Sequence, residues 1–308
     1  MTIVVALAVI GALLCNARFG PLTGGRRVAD ASPPQRLRPD ANDRMLKPLR
    51  DGMITALPRE GGIVAGFEFL SHVASRPNLH SAHHVFQGTY TFSTRAYPMP
   101  DSISALLVDP AESRLRAYVE AATGDRLREL AVKNQLTFAA TAGDLMLLTR
   151  SGTDSLRPLR IDDDPPELPA TVTFDGALQF LGADSVAARG SAGDRVPLRT
   201  AWRRLRVTDR AYVMVLELID SKGQAVHRHI RNLGYVLHGT ETWPEGVPVT
   251  ERYAMLVPAA VPAGTYTLVM AVAWTRGSES GYAEPDVAEV REAGGFLRLG
   301  DLQVLNAR

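Results

Sequence analysis

Histidine is the residue type in this sequence with the clearest potential for chemistry, because four of its seven copies fall in one stretch, EFLSHVASRPNLHSAHHVF. These four are His72, His80, His83 and His84. Zinc requires three or four converging ligands. Pro77 precedes the last three histidines, and the following HHVFQGTYTF is rich in β-branched and aromatic residues, so the sequence predicts strand and loop here rather than helix. On a strand, His80 and His84 share a face while His83 points away, and no carboxylate lies between His72 and Asp101. The ligand set is incomplete, and we expect no metal and no cofactor.

Catalytic motifs are lacking elsewhere in the sequence. It has no phosphate-binding glycine loop, and GSESG carries Glu279 where a serine nucleophile would stand. The enzymatic alternative is a hydrolase that uses His72 or His84 with a carboxylate such as Glu68. We expect a protein that is not an enzyme, with no catalytic residue.

Tryptophan offers a second kind of site, because an exposed indole can stack on a sugar. Trp202 and Trp274 fall inside strand patterns and are expected in the core. Trp243, in the loop sequence HGTETWPEGVPV, is predicted at the surface. The candidate binding residues are therefore His72, His84 and Trp243.

Composition limits the classes of partner. The 308 residues suit two domains, and a net charge of +1 gives no reason to expect nucleic acid. A single cysteine, Cys15, excludes an intrachain disulfide.

The first twenty residues, MTIVVALAVIGALLCNARFG, carry no charge before Arg18. A membrane helix needs about 17–25 apolar residues, so residues 1–20 are predicted to be a transmembrane anchor. A cleaved signal peptide would have a basic start, a lipoprotein would not have Leu14 before Cys15, and a buried core helix is the remaining alternative. The arginines that follow would place the rest of the chain in the cytoplasm.

The rest of the chain falls into four predicted parts. Residues 21–40 are a Pro-, Gly- and Arg-rich juxtamembrane linker, and residues 41–150 alternate helical patterns with short apolar runs, as a small α/β layered domain does. Residues 151–170 are polar and Pro-rich, which indicates a linker. Residues 171–308 carry short alternating strands and turn signals, which predict an antiparallel β-sandwich. The predicted fold class is α+β and multidomain: an N-terminal membrane helix, an α/β domain and a C-terminal sandwich.

Two groups of motifs resemble a known family. The apolar helix followed by ARFGPLTGGRR, with ALPREGGIVAGFEFLSHVASRP, resembles the extracytoplasmic region of the bacterial membrane protein family called domain of unknown function 2079. The second half, with TWPEGVPVTERYAMLVPAAVPAGTYTLVMAV, resembles the β-sandwich appended to membrane-embedded glycosyltransferases that use lipid-phosphate sugars.

The resemblance implies a function. It indicates an accessory or glycan-interaction module at the cell membrane, itself non-catalytic, with the bulk of the chain extracytoplasmic. Its partners would be the lipid bilayer, a glycan and a polytopic membrane protein encoded upstream. The alternative is a C-terminal fragment of such a glycosyltransferase, although this chain lacks the early external loop in which those enzymes place their catalytic acids.

Overall fold

Strands dominate the protein. The computed structural model describes residues 41–90, 93–110, 124–152, 159–161, 164–235, 237–276 and 279–306. It is 45% strand and 17% helix. In these residues no helix is both long enough and apolar enough to cross a membrane. The predicted fold class, α+β with an N-terminal membrane helix, is therefore wrong. The predicted anchor at 1–20 and linker at 21–40 lie outside the described residues.

Strand residues outnumber helix residues because most of the helices are short. Five α-helices are described: α1 (Ala41–Thr55), α2 (Phe67–Leu70), α3 (Ala82–Gln87), α4 (Gly124–Lys133) and α5 (Ala288–Glu292). Only α1 and α4 reach ten residues. The sixteen strands come instead from short runs in which apolar side chains alternate or are buried on both faces.

The chain divides into two compact units after Pro48. Of the first unit the structure describes only residues 41–48, the beginning of α1. The three sheets belong to the second unit, Leu49–Arg308.

The first sheet of this unit is mixed. Its strands are β1 (Ile63–Ala65), β2 (Leu79–Ser81), β3 (Ala105–Val108), β4 (Thr137–Ala142) and β5 (Leu145–Thr149), in the order β2-β1-β3-β5-β4. The first three are parallel, and β5 is antiparallel to β3 and β4. Apolar side chains cover both faces, because Leu107 and Leu147 belong to one core cluster while Leu106 and Leu148 belong to another. Burial on both faces explains why β3 and β5 have no polar–apolar alternation.

Two further sheets form the second half. One has the order β6-β13-β10-β8-β7, and the other has β12-β11-β14-β16-β9 with β15 paired to β14. Their strands are β6 (Leu159–Arg160), β7 (Leu168–Phe174), β8 (Leu178–Ala183), β9 (Val186–Gly190), β10 (Arg195–Arg204), β11 (Ala211–Ile219), β12 (Ala225–Asn232), β13 (Pro248–Leu256), β14 (Gly264–Arg276), β15 (Glu279–Tyr282) and β16 (Leu297–Val304).

One core cluster serves both halves of the unit. Trp202, Met214 and Leu268 from the second half belong to the same buried cluster as Val85 and Phe138 from the first. The segment predicted to link the halves takes part in the sheets, since β6 pairs with Thr250 and Glu251 on β13 and β7 begins at Leu168. Residues 153–158 and 162–163 of that segment lie outside the described part of the chain.

A buried ionic network also crosses this junction. Arg231 on β12 makes two hydrogen bonds to Glu251 on β13, at 2.9 and 2.7 Å. Asp144, in the turn between β4 and β5, lies 3.9 Å from the Arg231 Nε atom and 2.9 Å from the Nε2 atom of His229. The network therefore contacts all three sheets, and we call it the Arg231 network.

Candidate functional site

The histidine-rich stretch folds differently from its prediction. Residues 79–81 form β2, but residues 82–87 form helix α3, so the strand predicted through HHVF is wrong. The helix buries Ala82, Val85 and Phe86, which share one helical face. It ends at Gly88, which has φ +70° and donates its N–H to the His84 carbonyl. The β-branched and aromatic residues that favoured a strand in isolation are outweighed here by this burial and by the glycine cap.

The side chains of this stretch form an aromatic cluster. The His80 Nδ1 atom lies 2.7 Å from the Tyr97 hydroxyl, and the His84 ring centroid lies 5.1 Å from that of Tyr97 and 3.9 Å from that of His83. Burial lowers the pKa of His80 and of His84, which favours the neutral form of both imidazoles. Burial, together with the neighbouring Tyr90, raises the pKa of Tyr97. Over the described residues no set of three or more His, Cys, Asp or Glu side chains could hold a metal ion. We call this group the His–Tyr cluster.

The three candidate binding residues are not brought together. His72 is exposed in the turn after α2, where its N–H bonds the Phe69 carbonyl at 3.0 Å. The His84 ring instead packs against the rings of His83, Tyr90 and Tyr97. Trp243 is only 1% exposed and donates its indole N–H to the His238 carbonyl at 2.7 Å. The prediction that Trp243 lies at the surface is therefore wrong, because the loop that carries it folds into the core.

A polar cleft in the second half is the candidate site that offers the most hydrogen-bonding side chains among those described below for the second unit. Its volume is about 760 Å³. Four arginines and four carboxylates are among its lining residues: Arg206, Arg210, Arg276, Arg291, Asp175, Asp209, Glu284 and Asp286. Thr173, Thr208 and Tyr212 add hydroxyl groups. The cleft therefore offers many hydrogen-bond donors and acceptors and little apolar surface.

The turn between β7 and β8 places the first of these carboxylates. Asp175 and Gly176 have φ of 53° and 62°, and the Ala177 N–H bonds the Phe174 carbonyl at 2.9 Å, as in a type I′ hairpin turn. Aspartate is among the few residues other than glycine that tolerate this conformation. The turn therefore holds the Asp175 carboxylate at a fixed position on the wall of the cleft.

Asp175 holds together three parts of the cleft. Its Oδ1 atom accepts the Glu284 N–H at 2.9 Å, and its own N–H bonds the Glu284 carbonyl at 2.9 Å. Its Oδ2 atom accepts from Arg210 Nη1 at 2.6 Å and from the Tyr212 hydroxyl at 3.4 Å. Burial first, and then the Asp175 charge, raise the pKa of Tyr212, which keeps that hydroxyl protonated as a donor.

Arg210 is fixed from a second side by an aromatic ring. Its guanidinium carbon lies 4.1 Å from the centroid of Trp274, a cation–π contact. Trp274 is partly buried and packs against the main core cluster, as the sequence predicted, and its ring also contacts this guanidinium of the cleft. Guanidinium, carboxylate and indole thus form a rigid group at one end of the site.

The remaining lining residues are held in two ways. Arg276 pairs with Asp209 at 3.1 Å and also with Glu279. Arg206 and Arg291 bond main-chain carbonyls instead, and the Asp286 carboxylate accepts the Thr173 N–H at 2.7 Å. The cleft is therefore preorganised by its own hydrogen bonds.

The sequence contained one signal for this site. Asp-Gly between two alternating runs is a strong hairpin signal, and it marks Asp175 and Gly176. The arginines had no such signal, because the chain is rich in arginine throughout. They come to one place from the loop between β10 and β11, the end of β14 and helix α5.

Comparison with known proteins adds little to this geometry. No family model and no curated protein matches the chain. Among solved structures, a family 123 glycoside hydrolase from Clostridium perfringens, described in a study of glycolipid glycan hydrolysis, matches 44% of this chain with 9% identity and a TM-score of 0.22. The match covers 27% of that chain. A TM-score this low supports no conclusion about fold or function, and the resemblance to domain of unknown function 2079 stays a prediction.

Proposed function

We propose that this protein is a non-catalytic module that binds glycans through the polar cleft. The observation that carries the proposal is the cleft itself, about 760 Å³ in volume and lined by charged and hydroxyl side chains that hydrogen bonds already fix in place.

The chemistry of the lining suits a sugar. Most small-molecule sites are mainly apolar with a few polar groups, and this cleft has the opposite balance. Each sugar hydroxyl is both a donor and an acceptor, so it requires both kinds of group within reach. The arginines supply donors and the carboxylates supply acceptors. Because Arg210 is already held by Asp175 and Trp274, its side chain loses little entropy when a ligand binds.

The state of the carboxylates favours binding over catalysis. Each of the four is engaged by a guanidinium or a main-chain N–H: Asp175 by Arg210, Asp209 by Arg276, Glu284 by Arg291 at 3.7 Å, and Asp286 by Thr173. The described lining contains no histidine or cysteine that would serve as a base or nucleophile.

The partner and location come from the sequence resemblance. We infer that the module works beside a membrane-embedded glycosyltransferase, on the extracytoplasmic side of the cell membrane. A C-terminal fragment of such an enzyme is the alternative. A reading frame directly upstream in the DNA that encodes a polytopic membrane protein would support both the separate module and the enzyme fragment. Its absence would argue against both.

The test of glycan binding is affinity electrophoresis against a panel of acidic and neutral polysaccharides. We expect at least one polysaccharide to retard the protein, and a double variant, Asp209→Ala with Glu284→Ala, to abolish the retardation. Both carboxylates are largely exposed, at 69% and 76%, so the variant should remain folded. Asp301→Ala is the matched control, since Asp301 is also exposed and ion-paired but does not line the cleft.

Two results would contradict the proposal. Failure of every polysaccharide to retard the wild-type protein would remove the glycan function. Release of reducing sugar from a retarding polysaccharide, abolished in the same double variant, would show that the module is an enzyme.

A further inference from the structure

We propose that the glycan carries an acidic group, a carboxylate or a phosphate, and that Arg206 and Arg291 bind it. This inference rests on the proposed function for the glycan and goes beyond it in naming the chemical class.

Arg206 is held in place without being neutralised by a carboxylate. Its Nε atom donates to the Gly176 carbonyl at 3.1 Å, and its Nη2 atom donates to the Asp175 carbonyl at 2.8 Å. Carbonyl oxygens carry only partial charge, so they orient the guanidinium but leave its positive charge. A guanidinium has five N–H groups, and within the described part of the chain these two bonds leave the Nη1 side of Arg206 available to a ligand.

Arg291 is held in the same way. Its Nε and Nη2 atoms donate to the Pro285 carbonyl at 3.3 and 3.1 Å, and Nη2 also reaches the Asp286 carbonyl at 3.4 Å. Its one carboxylate neighbour, Glu284, is 3.7 Å away, and both side chains are more than half exposed. An exposed pair at this distance contributes little. Arg291 therefore also presents a charged guanidinium in a fixed orientation.

Three of the four negative groups of the cleft are committed elsewhere, and the fourth, Glu284, is the exposed neighbour of Arg291. Asp175 binds Arg210, Asp209 binds Arg276, and Asp286 accepts a main-chain N–H. The four arginines and four carboxylates of the lining balance in formal charge. Two of the arginines, Arg206 and Arg291, are nevertheless oriented mainly by main-chain carbonyls. That arrangement attracts an anion more than a neutral sugar.

The geometry of a guanidinium then selects the anion. Its planar fork matches the two oxygens of a carboxylate or phosphate, and such charge-assisted bonds are about twice as strong as neutral ones. A sugar acid or sugar phosphate would place its ring against the hydroxyl and carboxylate groups of the cleft and its charge against Arg206 and Arg291.

The experiment is isothermal titration of the full-length protein with three matched ligands: a galacturonate oligosaccharide, the same oligosaccharide reduced at its carboxyls to galactose, and galactose 1-phosphate. The variants are Arg206→Gln and Arg291→Gln. The control is Arg298→Gln, because Arg298 is exposed and ion-paired to Asp301 outside the cleft.

We expect at least one acidic ligand to bind about tenfold or more tightly than the neutral one, and each cleft variant to remove most of that difference. Binding of the acidic ligand should also weaken as salt rises. Arg298→Gln should bind like wild type.

Equal binding of acidic and neutral ligands would overturn this inference and leave the glycan function standing. An acidic preference that Arg298→Gln removes as fully as the cleft variants do would also overturn it, since the preference would then come from general surface charge. Failure of all three ligands, together with failure of the polysaccharide panel, would remove both proposals.

Discussion

Two arginine–carboxylate groups in this molecule contain the same residue types but differ in how far they are buried. In the Arg231 network the guanidinium is 0% exposed and Glu251 is 1% exposed, and they bond each other twice. In the cleft, Arg210 is 31% exposed and bonds Asp175 once, while Arg206 bonds only carbonyls among the described residues. In the first group the Nη1 and Nη2 atoms of Arg231 both bond Glu251 inside the protein, whereas the arginine of the second group is partly open to solvent.

The difference lies in what surrounds each charge. Burial alone would lower the pKa of Arg231, but the Glu251 charge and its hydrogen bonds raise it overall, so the arginine stays charged in the core. The Tyr253 ring lies 3.8 Å from its guanidinium carbon and closes it off from water. A buried ion pair of this kind joins elements, while a partly open one is accessible to the ligand that we propose for the cleft. The two groups differ more in the exposure of the guanidinium than in the residue types that bind it.

The largest effect should come from breaking the buried pair. Arg231→Met leaves Glu251 charged and buried, and removal of one partner of a buried pair typically costs about 3–5 kcal/mol of unfolding free energy. Urea unfolding measures it. The double variant Arg231→Met with Glu251→Leu should recover much of the loss, because no charge is then left uncompensated. A loss below about 1 kcal/mol in the single variant would show that the network does not hold the sheets together.

A smaller effect should come from the equivalent change in the cleft. Asp175→Asn keeps a residue that tolerates positive φ and keeps an oxygen for the Glu284 N–H, but it removes the charge that faces Arg210. We expect a loss of about 1–2 kcal/mol in urea unfolding and weaker glycan binding. Asp175→Ala should lose more, because alanine is strained at this φ. Equal stability of both variants would mean that the turn conformation is unimportant.

A pH dependence should separate the His–Tyr cluster from both arginine groups. Because burial lowers the pKa of His80 and His84 in the folded state, the unfolded state takes up protons first. Their contribution to stability is complete above about pH 6.5, the pKa of unfolded histidine, and is lost as the pH falls towards the folded values. Unfolding measured at pH 7.5 and pH 5 should show the loss. The double variant His80→Gln with His84→Gln should reduce it, and an unchanged pH dependence would assign the effect to other groups.

The smallest effect should come from an exposed pair at the edge of the cleft. Arg276 pairs with Asp209 and Glu279, but its side chain is 45% exposed. Exposed ion pairs contribute little, so Arg276→Gln should leave the urea midpoint and the unfolding free energy nearly unchanged. A loss comparable to that of Arg231→Met would erase the distinction between buried and open arginines.

The sequence predicted some of these elements and missed others for physical reasons. The alternation in AYVMVLELID predicted a strand, and β11 (Ala211–Ile219) has Met214, Leu216 and Leu218 in the core as that pattern indicates. Val215 on the opposite face is buried too, which period-two alternation alone does not show. Helix α3 was missed because its burial and its Gly88 cap override local strand preference.

The candidate site was harder to predict than the strands. The Asp-Gly turn at Asp175 could have been read from the sequence, since that dipeptide specifies a hairpin. The meeting of Arg206, Arg210 and Arg291 could not, because it depends on a loop and a helix whose residues are up to 85 positions apart coming together in the tertiary fold. Trp243 was predicted at the surface and is buried instead, because burial is decided by tertiary packing.

The most direct test of the account is hydrogen–deuterium exchange of the full-length protein with and without an acidic galacturonate oligosaccharide. We predict that peptides covering residues 173–176, 204–210 and 284–291 gain protection on binding, while those covering the Arg231 network, residues 229–235, are unchanged because that region is already closed to ligand. Protection confined to residues 79–97, the His–Tyr cluster, would contradict the assignment of the cleft as the binding site.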